Sequence, residues 1–327
     1  MHRLAQHWYR KTPVSLLLLP LSWLYCALMT LRRALYRARI FSSVKLPVPV
    51  IVVGNVTVGG TGKTPFVAWL AGFLRQKGLH PGIVLRGYGG TAADRPHDVT
   101  PQSDPGVAGD EAVMLARQSG CPVAADADRV RGAQFLVREH RCDVIVSDDG
   151  LQHLRLVRDI EIAVIDGERR FGNGYCLPAG PLREPVSRLQ EVALRIAQGE
   201  PRAGELGMAL TETGLCRVNA PDIRATTDAL RGEAVHAVAG IGHPSRFFAH
   251  LRKLGIEVIE HPFPDHHRFQ PGDIRFDDPL PVIMTQKDAV KCERFAGDNA
   301  WYLAVEARPD PRAGDDIWRR LEEVRHG

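Results

Sequence analysis

None of the six cysteines (Cys26, Cys121, Cys142, Cys176, Cys216, Cys292) stands in a Cys-x-x-Cys pair, and they are scattered over 327 residues. That spacing excludes the zinc sites and disulfide frameworks that paired cysteines announce. Single scattered thiols read as buried and reduced, as in a cytosolic protein. A large excess of charge is missing too: the net charge is only +4. The chain as a whole is therefore not a polyanion binder, and nucleic acid is not an expected partner. No internal repeat and no low-complexity tract interrupts it. What remains is ordinary: 44% hydrophobic and 24% charged residues, as in a globular protein, with a length that suits about two domains.

The most informative stretch that is present runs Gly54-Asn55-Val56-Thr57-Val58-Gly59-Gly60-Thr61-Gly62-Lys63-Thr64. An apolar, β-branched run, Val48 to Val53, precedes it, and a helical pattern from Pro65 to about Gln76 follows. Strand, glycine-rich loop and helix make a phosphate-binding P-loop, which predicts a bound nucleoside triphosphate. Glycines let backbone N–H groups curl toward phosphates, and the helix N-terminus adds positive charge. The expected nucleotide contacts are Thr57, Val58, Gly59, Gly60, Thr61, Gly62, Lys63 and Thr64. Lys63 reaches the β and γ phosphates, and the Thr64 hydroxyl binds Mg²⁺. The loop departs from the usual spacing at Thr57, where a glycine is normal. The competing reading is a tight turn with a surface lysine.

Val14 to Leu31 (VSLLLLPLSWLYCALMTL) carries no charge. As one helix its 18 residues would extend roughly 27 Å, near the lower limit for crossing a bilayer. Basic residues flank both ends: Arg3, Arg10 and Lys11 before it, and Arg32, Arg33, Arg37, Arg39 and Lys45 after it. Symmetric positive flanks give a span no orientation, and Pro20 would kink it. No small-residue cleavage motif follows, which argues against a signal peptide. The expectation is a helix lying in or dipping into the cytoplasmic leaflet of a membrane, with its arginines on anionic head groups. A helix packed on the core is the alternative.

Beyond Pro47 and Pro49, strands and helices alternate. Strands are expected at Ile83 to Leu85, Pro122 to Ala125, Asp143 to Ser147 and Ile160 to Ile165. Helices are expected at Asp110 to Gln118 and Arg129 to Glu139. This pattern predicts an α/β fold of the P-loop type, a mostly parallel sheet with helices on both faces. Arg169 to Pro185 is rich in Gly, Pro and Arg and reads as a loop with the character of a lid. A second α/β pattern begins near Glu233: strands at Ala234 to Ala239, Ile256 to Ile259, Val282 to Thr285 and Tyr302 to Val305, with helices at Pro244 to Leu254 and Asp316 to Val324. The expected organisation is a membrane-associated segment (1–46), a P-loop core (47–225) and a smaller α/β domain (226–327).

Four further clusters carry chemistry. Asp148 and Asp149 end the fourth strand of the core, where a P-loop enzyme holds its magnesium ion. A turn cap is the plain alternative. Gly109-Asp110-Glu111 opens a helix; the acids either complement its dipole or supply a base in Asp110. Arg86-Gly87-Tyr88-Gly89-Gly90 is either a tight turn or a substrate loop, with Tyr88 stacked on a sugar and Arg86 on a phosphate. His261, Asp265, His266 and His267 suggest an Asp–His pair more than a metal site, because adjacent residues of an extended segment point to opposite sides; a polar loop with incidental histidines is the plain alternative.

Together these motifs resemble the tetraacyldisaccharide 4′-kinase family, the lipid A 4′-kinases of Gram-negative bacteria. The segments that match are LLPLSWLY (18–25), VPVIVVGNVTVGGTGKTP (48–65), RGYGG (86–90), GDE (109–111), DADR (126–129), SDDGLQH (147–153), LPAGPLRE (177–184), FPDHH (263–267) and TQKDAVK (285–291). The resemblance implies transfer of phosphate from ATP, with Mg²⁺, to the 4′-hydroxyl of an acylated disaccharide 1-phosphate at the membrane surface. It implies Asp110 and His266 as the catalytic pair, and Asp148 and Asp149 beside the metal and phosphates. Arg129, Gln152 and His153 become substrate contacts. Gln286 stands where the family commonly has Glu. The rival reading is a membrane-associated nucleotide switch or partitioning ATPase. A guanine-specific switch is disfavoured, since Thr285-Gln286-Lys287-Asp288 lacks the Asn/Thr-Lys-x-Asp spacing.

Overall fold

The computed structural model describes residues 6–91 and 96–326. Arg3, counted above in the basic flank, lies outside the described residues. The N-terminal segment forms α1 (Pro13–Leu17) and α2 (Leu19–Arg37). The first half then runs β1 (Val50–Gly54), α3 (Lys63–Gln76), β2 (Pro81–Leu85), β3 (His97–Val99), α4 (Pro105–Ala108), α5 (Asp110–Ser119), β4 (Val123–Ala125), α6 (Arg129–Glu139), β5 (Val144–Asp148), β6 (Ile160–Asp166), β7 (Leu194–Gln198) and β8 (Leu206–Arg217). The second half holds β9 (Arg224–Ala225), β10 (Ala234–Ala239), α7 (Pro244–Lys253), β11 (Glu257–Pro262), β12 (Val282–Thr285), α8 (Gln286–Cys292), β13 (Ala300–Pro309) and α9 (Pro311–His326).

The strands join in one sheet, ordered β11-β10-β12-β13-β8-β7-β6-β1-β5-β2-β4-β3, with β9 on β8. Pairing is mostly parallel on both sides of a central antiparallel seam, β8 against β13, and the short strands β3 (on β4) and β9 (on β8) are antiparallel too. This is the expected mostly parallel sheet. The register explains the two-sided burial of β1. Ile51 and Val53 join Phe66, Val67, Leu70 and Leu74 of α3 on one face. Val50 and Val52 join Leu136 of α6 and Leu151 on the other. Alternate residues of a strand point to opposite faces, so a strand covered on both sides must be apolar throughout. The last helix returns to the first half: Ala313, Ile317 and Leu321 enter the α3 cluster.

Gly54 ends β1 under Leu151, whose Cγ would lie 2.6 Å from an added Cβ. Gly54→Ala should therefore lower stability by about 1–3 kcal/mol. Urea unfolding measures this, and an unchanged midpoint would show that the strand end yields freely.

Among the described residues no helix is long and apolar enough to cross a membrane. The segment expected as one helix is broken at Leu18, which ends α1 and caps α2. Pro20 does not kink a helix; it sits in the first turn of α2, where its missing N–H costs nothing. One face of α2 is tied down. The Ser22 hydroxyl donates to the Cys176 carbonyl at 2.7 Å, and Tyr25 and Cys26 pack on the core. The other face is a bare apolar stripe of Leu21, Leu24, Leu28 and Leu31, with Trp23 exposed beside it and Leu17 of α1 exposed before it. The 169–185 segment is held at several points: Pro181 accepts from the Val58 N–H at 2.8 Å and Arg183 donates to Val56 at 2.7 Å.

Candidate active site

The loop between β1 and α3 turns at Gly59 and Gly62, both with positive φ (107° and 81°). Gly62 is the N-cap of α3 in the left-handed region, which a side chain would resist. The Lys63 ammonium lies 3.2 Å from Asn55 Oδ1 and 3.5 Å from Asp149 Oδ1. Thr61 Oγ1 is buried without a partner. Thr57 is buried and bridged to Leu182. A residue that the sequence did not single out here, Arg169, donates to the Gly60 carbonyl at 2.7 Å.

Asp148 is the last residue of β5 and is buried, and its Oδ1 has no hydrogen-bond partner. Burial, with Glu111 and Asp149 adding repulsion, pushes its pKa up to about 7 against the pull of Lys63. Burial pulls Asp149 the same way, but Lys63 and Arg183 outweigh it and hold this carboxyl well below the usual range. Arg183 reaches both Asp149 oxygens, at 3.1 and 2.9 Å. Neighbouring carboxyls are thus pushed apart, one poised near neutrality and one firmly ionised. Among the described residues no group of three His, Cys, Asp or Glu side chains could hold a metal by itself. An orphaned carboxylate oxygen fits Mg²⁺, which uses one or two carboxylates and completes its shell with waters and phosphates.

Arg129 is 4% exposed and donates to the Asp126 carbonyl at 2.9 Å. Burial lowers it to about 10, against the attraction of Asp149 and Asp148. His153 is lowered to about 4 by burial and then by Arg129, and its Nε2 has no partner. Gln152 is engaged within the protein: its amide donates to Glu184 at 2.6 Å and to the Asn55 carbonyl at 3.3 Å. Arg32 of α2 donates to the Gln152 carbonyl at 2.9 Å. The N-terminal helix is thereby wired to the loop that carries the paired aspartates.

Asp110 starts α5, and His266 follows β11 in the other half of the chain. They meet with His266 Nδ1 3.3 Å from Asp110 Oδ2. Burial would raise Asp110, but His266 and then Lys287 hold it below the ordinary carboxylate value. His266 is raised above its usual value, chiefly by Asp110, with burial and Lys287 opposing. Tyr88 lies over His266 with ring centroids 4.9 Å apart and is 60% exposed. It is held there because Gly90 lies against the turn before α5; a Cβ would come within 2.3 Å of the Val107 carbonyl. Arg86 is exposed at the end of β2. The remaining histidines diverge. His267 pairs with Asp273 at 3.0 Å, and His261 faces His236 at 2.9 Å.

Beside the pair opens a cleft of about 1460 Å³ between the two halves. Trp69, Met114, Tyr302 and Ala307 line it, and Tyr88, Asp110 and His266 stand in its wall. The glycine-rich loop does not line this cleft. The two regions communicate electrostatically, since Glu111, next to Asp110, raises Asp148.

Comparison with known proteins shows the family and the fold. A family model described as tetraacyldisaccharide-1-P 4′-kinase matches residues 14–322. The chain belongs to that family. A tetraacyldisaccharide 4′-kinase of Alkalilimnicola ehrlichii is 52% identical, over 99% of this chain and 98% of its own. One from Nitrosococcus oceani is 48% identical, over 98% of this chain and 95% of its own. Among solved structures, LpxK from Aquifex aeolicus, an "apo" form in complex with ATP, superposes with a TM-score of 0.80. It is 29% identical and is matched over 94% of this chain and 99% of that one. The family is one of kinases, and its fold is the mostly parallel sheet described above.

Besides Arg169, two residues that no sequence motif marks as functional belong to the site. Arg183 lies in the quoted LPAGPLRE segment, and Lys287 in TQKDAVK. Only the fold shows that each faces an aspartate.

Proposed function

We propose that this chain transfers the γ-phosphoryl group of ATP to the 4′-hydroxyl of a tetraacylated glucosamine disaccharide 1-phosphate. The observation that carries the reading is the 3.3 Å approach of Asp110 and His266, in a chain of this family that also carries a P-loop. Lys63 and the amides of residues 57–64 neutralise the phosphates. Asp148 and Thr64 are the residues that would hold Mg²⁺, which would supply further charge neutralisation when bound. The sugar oxygen bonds to phosphorus as the bond to ADP breaks, and the Asp110–His266 pair takes the hydroxyl proton. The pair titrates as a unit. Arg86, Tyr88, Arg129, Asp149, Gln152 and His153 are the proposed contacts for the acceptor and the phosphates. The three units 1–46, 47–225 and 226–327 then have distinct tasks, with closure of the last two assembling the pair and excluding water.

The acceptor carries four acyl chains and stays in the membrane. Exposing each CH₂ to water costs about 0.8 kcal/mol. The apolar stripe of α2 supports an enzyme that works at the cytoplasmic face of the inner membrane and meets the head group there. Labelled γ-phosphate should appear in the lipid when ATP and tetraacyldisaccharide 1-phosphate are supplied in detergent micelles. ATP hydrolysis without labelled lipid would sink the kinase reading and favour a nucleotide switch.

A further inference from the structure

Lys287 stands at the centre of the charges around Asp110 and His266. It lies on α8, and its side chain is 17% exposed. Its ammonium lies 3.1 Å from Glu111 Oε1 and 3.4 Å from Asp265 Oδ1. It is also 4.0 Å from Asp110 Oδ2 and 3.4 Å from His266 Nε2. An ammonium only donates hydrogen bonds, so a lysine facing Nε2 requires a lone pair there. The other ring nitrogen, Nδ1, then carries the proton and faces Asp110.

We propose that Lys287 is the positioning residue of the Asp110–His266 pair: anchored on Glu111 and Asp265, its ammonium fixes the imidazole as an Nδ1–H donor to Asp110. This rests on the reading of the pair as proton acceptor given above. A lysine at this point does two things that a neutral side chain cannot. It selects one tautomer of His266, so that the imidazole supports the carboxylate and does not compete for its proton. It also opposes a second positive charge on the ring, while the two acids on either side keep the lysine itself charged. The partners come from both halves of the chain, Glu111 and Asp110 from α5 and Asp265 from the segment after β11. The contact is therefore complete only when the halves meet.

The groups that face the pair are few. Asp265 and Tyr88 flank His266. Lys291 adds attraction to Asp110 from one turn further along α8, where it is itself paired with Asp288 at 2.7 Å. Lys287 lowers both Asp110 and His266. Its loss raises both, so the acid limb of the rate moves to higher pH whichever group governs it. A lysine that merely docked α8 onto α5 would leave that limb in place. Gln286 makes such a docking contact next door, with Gln118 donating to it at 2.9 Å, and serves as the control.

The experiment has two parts. In the full-length wild-type enzyme, ¹⁵N imidazole spectra of His266 should show the neutral Nδ1–H form above the acid limb. The Nε2–H tautomer there would overturn the proposal without any assay of lipid phosphorylation. In Lys287→Met, the acid limb of kcat should rise by about one pH unit. Its plateau should fall on the order of tenfold to a hundredfold, with the KM for ATP unchanged within about twofold. Lys287→Arg should restore most of the limb, and Gln286→Ala should leave it where it is. An unmoved limb in Lys287→Met, or an equal shift in Gln286→Ala, would show a structural clamp only. Failure of wild type to label the lipid at all would instead count against the proposed function, and the tautomer result would stand apart from it.

Discussion

Asp110→Asn should lower kcat by roughly 10²–10⁴ while the KM for ATP stays nearly constant. The substitution preserves size at a site that is 6% exposed, so packing is not the cause. The asparagine carbonyl can still accept the Glu111 N–H that Asp110 Oδ1 now takes at 2.9 Å. The amide nitrogen then faces His266 and Lys287, both donors, and no acceptor remains for the hydroxyl proton. Transfer depends on charge and position, and ATP is held elsewhere, so the loss should fall on kcat. His266→Ala should cost a similar factor, and the double variant little more than either, because paired groups are not additive. Steady-state kinetics at saturating lipid decide this. Undiminished turnover in Asp110→Asn would keep the family activity and discard the pair as its base.

The same carboxylate links activity to stability. Asp110 is held below its unfolded value, so its contribution is present above the unfolded pKa and fades as the pH falls through the folded one. His266 is raised, and its contribution is full below its unfolded pKa and is lost as the pH rises through the folded value. The pair is therefore worth most in the window between the two groups, where the carboxylate is ionised and the imidazole is charged.

What could be read from the sequence follows from what each element needs. β1 is covered on both faces, so its whole run is apolar and stood out. The helix expected at Arg129 to Glu139 is α6, whose start the structure fixes with Asp128, accepting from the Val130 N–H at 3.0 Å. The seam strands were harder. β8 (LGMALTETGLCR) alternates buried, half-buried and exposed positions and turns at Gly214, where φ is 116°. Its stability comes from β13, about ninety residues later in the chain, and no local pattern announces that. The sequence pattern marks only the centre of β13, Tyr302 to Val305 of Ala300–Pro309, for the same reason. The motif letters gave the two ends of the site, while the contacts joining them cross long separations. Lys287 meets Glu111 over 176 residues, and Arg183 meets Asp149 over 34. Residue type named the chemistry at Asp110 and His266; only the sheet order explains why they touch.

Lys63→Met should lower kcat on the order of 10²–10³ and also weaken ATP binding, which sets it apart from Asp110→Asn. Lys63 is the first residue of α3, placed by the left-handed turn at Gly62. Its ammonium now rests on Asn55 and Asp149, a neutral and a charged acceptor within reach of the phosphates' expected place. Methionine keeps the stem and removes the charge. Asp149 would retain Arg183, at 2.9 Å, so the loop that carries it should hold its shape and the protein should fold. What disappears is the mobile cation able to leave Asp149 for the γ-phosphoryl group as negative charge shifts toward ADP. Lys63→Arg should rescue poorly, because a planar fork cannot replace a compact point charge in a loop turned this tightly. ATP titration by calorimetry separates the binding loss from the rate loss measured under ATP saturation. A variant with normal ATP affinity and normal kcat would remove Lys63 from the phosphate site and would leave the glycine-rich loop as a turn with a surface lysine.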